Sequence, residues 1–274
     1  MKQFKPDGAV GKAITPVQSN DLPVKVFVPK PHKDKNEVDT TFEAGSIKTW
    51  SFSSLSTYEE CPRRLAFRRI DKIEEPSSEA VSRGSEIHDL AERFVRGQEG
   101  DEVPPALMKF EKGFLTLKKA FEDGIVFCED EWSFDKDWSE SEWLGPKCWH
   151  MAKLDCFVKN DDGSALIIDY KTGRKFGNEL KHGEQGLVYA IAAFMRYPEL
   201  DFIKVEFWYL DKGEKLTRQY TRQQALIFHP QLHQRAKEMT TATEFPARPS
   251  LNACRFCFYG KEGHCKEKFD ASML

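Results

Sequence analysis

Residues Leu166–Gly173 read LIIDYKTG, and this stretch limits the chain's folding options more than any other. Three aliphatic residues in a row mark a buried strand. The strand then places a carboxylate and an amine two positions apart. Side chains alternate across a strand, so Asp169 and Lys171 share one face and Tyr170 takes the other. A strand end carries a polar residue easily, and one such residue would mean little. An Asp-x-Lys pair behind an aliphatic run aims a metal ligand and a cation at the same point. Phosphodiester hydrolysis needs that combination: a carboxylate to hold a divalent ion, and an ammonium to orient water or offset developing negative charge.

Upstream, residues 149–158 (WHMAKLDCFV) form a second strand-like run, followed by Lys159, Asn160, Asp161, Asp162, Gly163 and Ser164. Two such runs around a short Asp/Gly turn predict a hairpin. Loop length then decides the register. A three-residue loop, Asp161–Gly163 with Gly163 left-handed, pairs Asn160 with Ser164 and sets Asp155 opposite Asp169 on the same face. A two-residue loop would put Ile168 opposite Asp155 and separate the acids. The longer loop is preferred because glycine stands where a positive φ is required. Directly opposed Cβ atoms lie about 4.5–5.5 Å apart, and carboxylates that close repel unless a cation sits between them. A solvated hairpin with incidental acids leaves Lys171 and the apolar flanks unexplained.

Two further stretches carry chemistry. Residues 51–64 (SFSSLSTYEECPRR) predict a short helix capped by Ser54 or Ser56 and disturbed by Pro62. Residues 84–94 predict an amphipathic helix with Ile87, Leu90, Ala91 and Phe94 at helical spacing, and His88 and Glu92 share one of its faces. Taken alone, His88 reads as an ordinary surface or capped histidine.

Five motifs now stand in order: SxSxLxxYxxCP at 51–62, GxxxH at Gly84–His88, Leu154-Asp155, DYKTG at 169–173 and QxxxY at Gln185–Tyr189. Together they resemble the RecB-like branch of the PD-(D/E)xK nucleases over about residues 49–266. The resemblance implies an α/β fold with a restriction-endonuclease-like core, a mixed central sheet flanked by helices. It implies Asp155 and Asp169 as acidic ligands of one or two Mg²⁺ or Mn²⁺ ions, His88 as a further ligand, and Lys171 as the catalytic lysine. Glu131 is taken as an accessory glutamate, with Glu129 as the other candidate for that match. Gln185 and Tyr189 lie one helical turn apart and would line the DNA path, although Tyr189 also reads as a core aromatic. Leu154 stands before Asp155 where the family name has proline, which is common in this branch.

Of seven cysteines, Cys254 and Cys257 have the two-residue spacing that lets two thiolates grip one centre, and Cys265 follows after seven residues. The resemblance supplies Cys61 as the fourth ligand of a 4Fe-4S cluster, as in AddB-type and CRISPR-associated RecB-like nucleases. Such a cluster would staple the two ends of the chain and close a very long loop. A structural zinc, with His264 as a substitute ligand, is the alternative. Cys128, Cys148 and Cys156 fall in strand-like runs and read as core residues.

The net charge of −3 excludes indiscriminate coating of nucleic acid, so local clusters matter more. Arg63, Arg64, Arg68, Arg69 and Lys72 make one basic stripe, for which a solvated helix face is the plain alternative, and Arg174, Lys175 and Lys181 make another. Phosphate contacts are expected from these, Arg63, Arg64, Arg174 and Lys175 above all, with salt-sensitive binding. Residues 1–46 read as an extended arm with a short strand at Val24–Val28. Residues 47–274 read as one nuclease domain that includes the cysteine region 250–266. The opening MKQFKP lacks the apolar core of a signal peptide, and no run approaches the ~20 residues of a membrane span. A cytoplasmic chain with reduced thiols is therefore expected. No GxxxxGK[ST] motif occurs, so unwinding would fall to a helicase or recombination partner. The expected activity is metal-dependent DNA cleavage, as an exonuclease on single strands or ends, in recombination, repair or phage DNA metabolism. The alternative is a non-catalytic module that grips DNA ends or serves as a partner subunit, and RNA is a further possible substrate.

Overall fold

The structure is a computed structural model that describes residues 38–269. The Val24–Val28 strand and most of the amino-terminal arm lie outside those residues. Five strands, β1 (Val126–Phe134), β2 (His150–Lys159), β3 (Ser164–Lys171), β4 (Phe202–Tyr209) and β5 (Glu214–Thr221), form one sheet in the order β1-β2-β3-β4-β5. Pairing is antiparallel except between β3 and β4, which run parallel. A parallel pair requires a long crossover, and α5 (Glu179–Arg196) supplies it. The sheet is mixed, helices cover both faces, and the expected α/β architecture is present.

The two faces bury different layers. On one, Ile167, Val205 and Phe207 pack with Ala190, Ile191 and Phe194 of α5 and with Ala225, Leu232 and Met239 of α6 (Arg222–Thr241). On the other, Ile168, Tyr170 and Trp208 pack with Phe94 of α3 (Glu79–Val95) and Phe114 of α4 (Glu111–Glu122). Each buried aromatic contributes about 1.5–3 kcal/mol. Close approach matters as much as area here. A Cβ at Gly113 would sit 2.5 Å from the Trp208 ring, so only glycine lets α4 lie against β4.

The hairpin meets the register count. Asn160 N–H donates to the Ser164 carbonyl at 3.0 Å, Gly163 has φ +80°, and the ladder runs from Lys159↔Ala165 to Cys156↔Ile168. One step further along the same count sets Asp155 opposite Asp169.

Local chemistry corrects several boundaries. Ser51 caps α1 (Phe52–Glu60), and Ser54 is its reciprocal partner in a capping box, so neither Ser54 nor Ser56 is the cap. Pro62 does not disturb that helix. It starts α2 (Pro62–Arg69), because the first helical position needs no N–H. Pro104 and Pro105 keep the next helix from starting before the 3-10 turn at Met108–Phe110 that leads into α4. Within the arm, Phe42 is buried, and Gly45 N–H donates to Thr240 of α6 at 2.7 Å.

Near this contact lies a buried aromatic cluster that contains His150, stacked on Trp50 with centroids 3.9 Å apart. Burial lowers the His150 pKa from 6.5 to about 3, and that of His229 to about 4. The unfolded chain therefore binds protons that the folded chain refuses. Stability should be whole above about pH 6.5 and fall as pH drops towards 3, by at most about 1.4 kcal/mol per unit for each histidine. Urea denaturation across this range should show the loss, and His150→Phe should lessen it, leaving the part due to His229. An unchanged slope in that variant would remove His150 as a cause.

Candidate active site

The Asp169 carboxylate is the centre around which the other polar groups gather. It sits near the end of β3 and is only 4% exposed. Burying a charge costs several kcal/mol unless partners compensate. Oδ2 accepts hydrogen bonds from Gln185 Nε2 and from the Tyr189 hydroxyl, both at 3.1 Å. Gln185 also donates to Tyr189 at 2.8 Å. These two residues reach β3 because α5 is the crossover that follows it, and their spacing of one helical turn turns both inward. Tyr189 is itself buried. Burial, with the nearby Asp169 charge, pushes its phenol well above the usual range, so it stays a donor. On the other side, Lys171 Nζ lies 2.5 Å from Asp169 Oδ1, as strand alternation requires. The contact lacks hydrogen-bond geometry, and Oδ1 remains a buried acceptor without a hydrogen bond. Burial raises the Asp169 pKa, Lys171 opposes that, and the Asp155 charge reinforces it.

A second group stands beside the first. One ligand atom each from His88, Glu129 and Asp155 lie within 4.8 Å of one another. His88 Nδ1 is 3.3 Å from Asp155 Oδ1, and Asp155 Oδ2 accepts from the Tyr170 backbone N–H at 2.6 Å. Burial opposes protonation of His88, but the hydrogen bond and charge of Asp155 outweigh it, and the pKa is raised. Asp169 does not belong to this triad.

Glu129 enters the triad through a break in the β1–β2 ladder. Pairing stops after Cys128↔Cys156 and resumes at Asp130↔Leu154, which leaves Glu129 and Asp155 opposed but unpaired. Glu129 adopts φ +52°, a left-handed backbone unusual for a side-chain-bearing residue. The packing of β2 also changes phase here. Ala152 and Leu154 join the core on the α5 and α6 side, while Cys156 and Val158, of the same parity, join the opposite one. Uninterrupted alternation therefore does not describe the direction of Asp155, which lies one residue beyond the last β2–β3 pair, Cys156↔Ile168. Burial raises the Glu129 pKa despite an ion pair with Lys153 at 2.6 Å.

The donor set is hard: two carboxylates and an imidazole, with the lysine-paired carboxylate of Asp169 alongside. It fits a divalent cation of the Mg²⁺ or Mn²⁺ kind. The sequence profile of the PD-(D/E)XK nuclease superfamily matches residues 49–142 and 151–261. The chain belongs to that superfamily. Among curated proteins none matches it in sequence. Among solved structures, the crystal structure of SSO0001 is similar, with 16% identity, coverage of 83% of this chain and 90% of that one, and a TM-score of 0.41. LHK-Exo in complex with dAMP is another, at 14% identity, covering 71% of this chain and 89% of that one, with a TM-score of 0.35.

The remaining expected residues of this PD-(D/E)XK chain fall in different places. Glu131 is exposed and stands outside the triad, and Glu129 occupies the position that it was expected to fill. Cys61, Cys254, Cys257 and Cys265 all line one pocket between α2 and the carboxy-terminal segment, with Arg63 and Arg64 on its wall. Those two arginines therefore accompany the cysteines. His264 is not on the pocket wall and packs instead beside Phe258 and Tyr259. Cys128 and Cys156 face each other across β1 and β2 and, like Cys148, are buried. Arg174 and Lys175 lie in the loop between β3 and α5.

Sequence inspection passed over His182. It precedes Gln185 by three residues, and that helical spacing was the available signal. Its Nδ1 is 2.6 Å from the Tyr209 hydroxyl, and its ring stacks on Phe207. Burial and the neighbouring Lys171 charge lower its pKa to about 4, which keeps it neutral beside the lysine.

Glu129→Gln should weaken Mn²⁺ binding by at least about tenfold, since losing a ligand should cost no less than losing a partner of one. Glu131→Gln should leave it unchanged. Isothermal titration calorimetry compares the two, and equal effects would refute the distinction.

Proposed function

We propose that this protein is a divalent-metal-dependent DNA nuclease of the RecB-like branch, an exonuclease acting on single strands or DNA ends. The observation that carries this reading is the adjacency of the buried Asp169–Lys171 pair to the His88–Glu129–Asp155 group. A bound Mg²⁺ or Mn²⁺ supplies polarisation of the phosphate and a water of lowered pKa. Asp155, Asp169, His88 and Glu129 are the residues that would hold it. Lys171 orients the attacking water and offsets negative charge as the phosphate is attacked. Gln185 and Tyr189 fix the rotamer of Asp169, so that the carboxylate is set before substrate arrives. Tyr170 N–H does the same for Asp155. Arg174 and Lys175 are assigned to phosphates of the bound strand, and any unwinding to a separate partner in recombination, repair or phage DNA metabolism. No helix among the described residues is long and apolar enough to cross a membrane.

Asp169→Ala or Lys171→Ala should abolish Mg²⁺- or Mn²⁺-dependent cleavage of labelled single-stranded DNA and leave binding in place. Open and end-blocked substrates, run side by side, report whether ends are needed. A wild-type protein that cuts nothing with any divalent ion sinks the nuclease reading.

The four-cysteine pocket is assigned to a 4Fe-4S cluster. Four thiols on one pocket wall provide the ligand number that a 4Fe-4S cluster takes. Cys254 Sγ also accepts the Phe269 N–H at 3.3 Å, the type of contact that tunes cluster thiolates. Protein purified without oxygen should be brown and contain iron and sulfide. Cys61→Ser should lose iron and lower the melting temperature, and a colourless protein containing zinc would decide for a zinc site.

A further inference from the structure

The loop that leaves the catalytic strand carries two large apolar side chains that the core does not use. Phe176 is 80% exposed and Leu180 is 90% exposed. An isolated exposed apolar residue is ordinary, but here the phenylalanine is held in place. Gly177 takes φ +86° and turns the chain immediately after it. The Asn178 side chain donates to the Arg174 carbonyl at 2.9 Å, and its backbone N–H donates to the Lys175 carbonyl at 2.9 Å. Glu179, the only acid between Lys171 and Lys181, accepts the Gly177 N–H at 2.8 Å. The tip is braced, with its aromatic ring turned to solvent.

The surroundings of the ring select the occupant. Arg174 and Lys175 immediately precede it, Lys181 follows five residues on, and none of the three forms an ion pair among the described residues. An apolar protein partner would have to cover three cations without supplying their counter-charge. A single nucleic-acid strand presents flat bases and phosphates in alternation, which matches an aromatic ring between cations. Duplex DNA keeps its bases stacked and offers the ring no face. Phe176 follows Lys171 by five residues, a stretch of chain that spans at most about 17 Å.

We propose that Phe176 is a stacking platform for one unstacked base of single-stranded DNA, with Arg174, Lys175 and Lys181 on the flanking phosphates and Leu180 against the base edge or sugar. The platform sets which strand form enters the site, and so it rests on the nuclease reading for its purpose, though not for its test.

Binding is measured on the full chain by fluorescence anisotropy in EDTA, where cleavage plays no part. Phe176→Ala should weaken binding of a short single-stranded oligonucleotide by about 5- to 100-fold and leave blunt-duplex binding and the melting temperature unchanged. Phe176→Trp should restore single-strand binding. Scanning one abasic site along the oligonucleotide should reveal a position at which wild type and Phe176→Ala no longer differ. The proposal is overturned if Phe176→Ala binds single strands like wild type, if it loses duplex and single strand equally, or if its melting temperature falls as for a core truncation. Cleavage with Mg²⁺ is scored separately. A wild type that shows the Phe176 dependence but never cuts supports the platform and removes the nuclease, whereas one that cuts while Phe176→Ala binds normally removes the platform.

Discussion

Placing an ionisable carboxylate inside a sheet is the constraint to which most of this structure answers. Asp169 is nearly sealed from water, and an isolated buried carboxylate is costly enough to neutralise itself. Its partners arrive from three directions that the topology alone provides. Strand alternation brings Lys171. The crossover between the parallel strands brings Gln185 and Tyr189 on consecutive turns of one helix. The antiparallel neighbour brings Asp155, a like charge that makes the site worse until something positive occupies it. The remaining oxygen, Oδ1, meets the Lys171 ammonium as an ion pair without hydrogen-bond geometry.

Much of this was legible before any coordinates. The hairpin register, as far as Cys156↔Ile168, followed from a three-residue loop with glycine in its last position, because register in a hairpin is arithmetic. The mixed sheet flanked by helices followed from the resemblance that the five ordered motifs carry, and Gln185 and Tyr189 stood one helical turn apart within it. What escaped was whatever depended on a departure from regularity. Glu129 and Glu131 have the same parity on one strand, and nothing in their neighbours separates them. The choice is made by a break in pairing and a left-handed backbone at Glu129, neither of which has a sequence signature for glutamate. The amino-terminal cap was missed for a related reason: several serines in a row offer equal capping chemistry, and packing of Phe52 and Leu55 selects Ser51.

The cysteine region shows a different kind of economy. Cys61 sits at the junction of α1 and α2, where a short helix ends and a proline begins the next, so its side chain projects from a corner. Of the carboxy-terminal cysteines, Cys254 lies on a five-residue helix, Cys257 caps a four-residue one and Cys265 follows it, and this segment packs only a small cluster, Cys257 and Tyr259, against Phe67 of α2. A segment with so small an apolar cluster depends on contacts with the rest of the chain. The pocket between them is therefore as much a matter of tethering as of chemistry.

The small loop at Asp161–Gly163 has a reach out of proportion to its size. Besides closing the hairpin, the Gly163 carbonyl accepts the Asp201 N–H at 2.8 Å and so anchors the start of β4. Adding or removing one residue there would do more than lengthen a turn. Every side chain of β3 would change sides, sending the carboxylate and the lysine into the layer of Trp208, Phe94 and Phe114 and Tyr170 into the site. Surface loops ordinarily absorb insertions at little cost. This one, at the far end of β3 from the lysine, behaves as a reading frame: its length is part of the active site even though none of its atoms is.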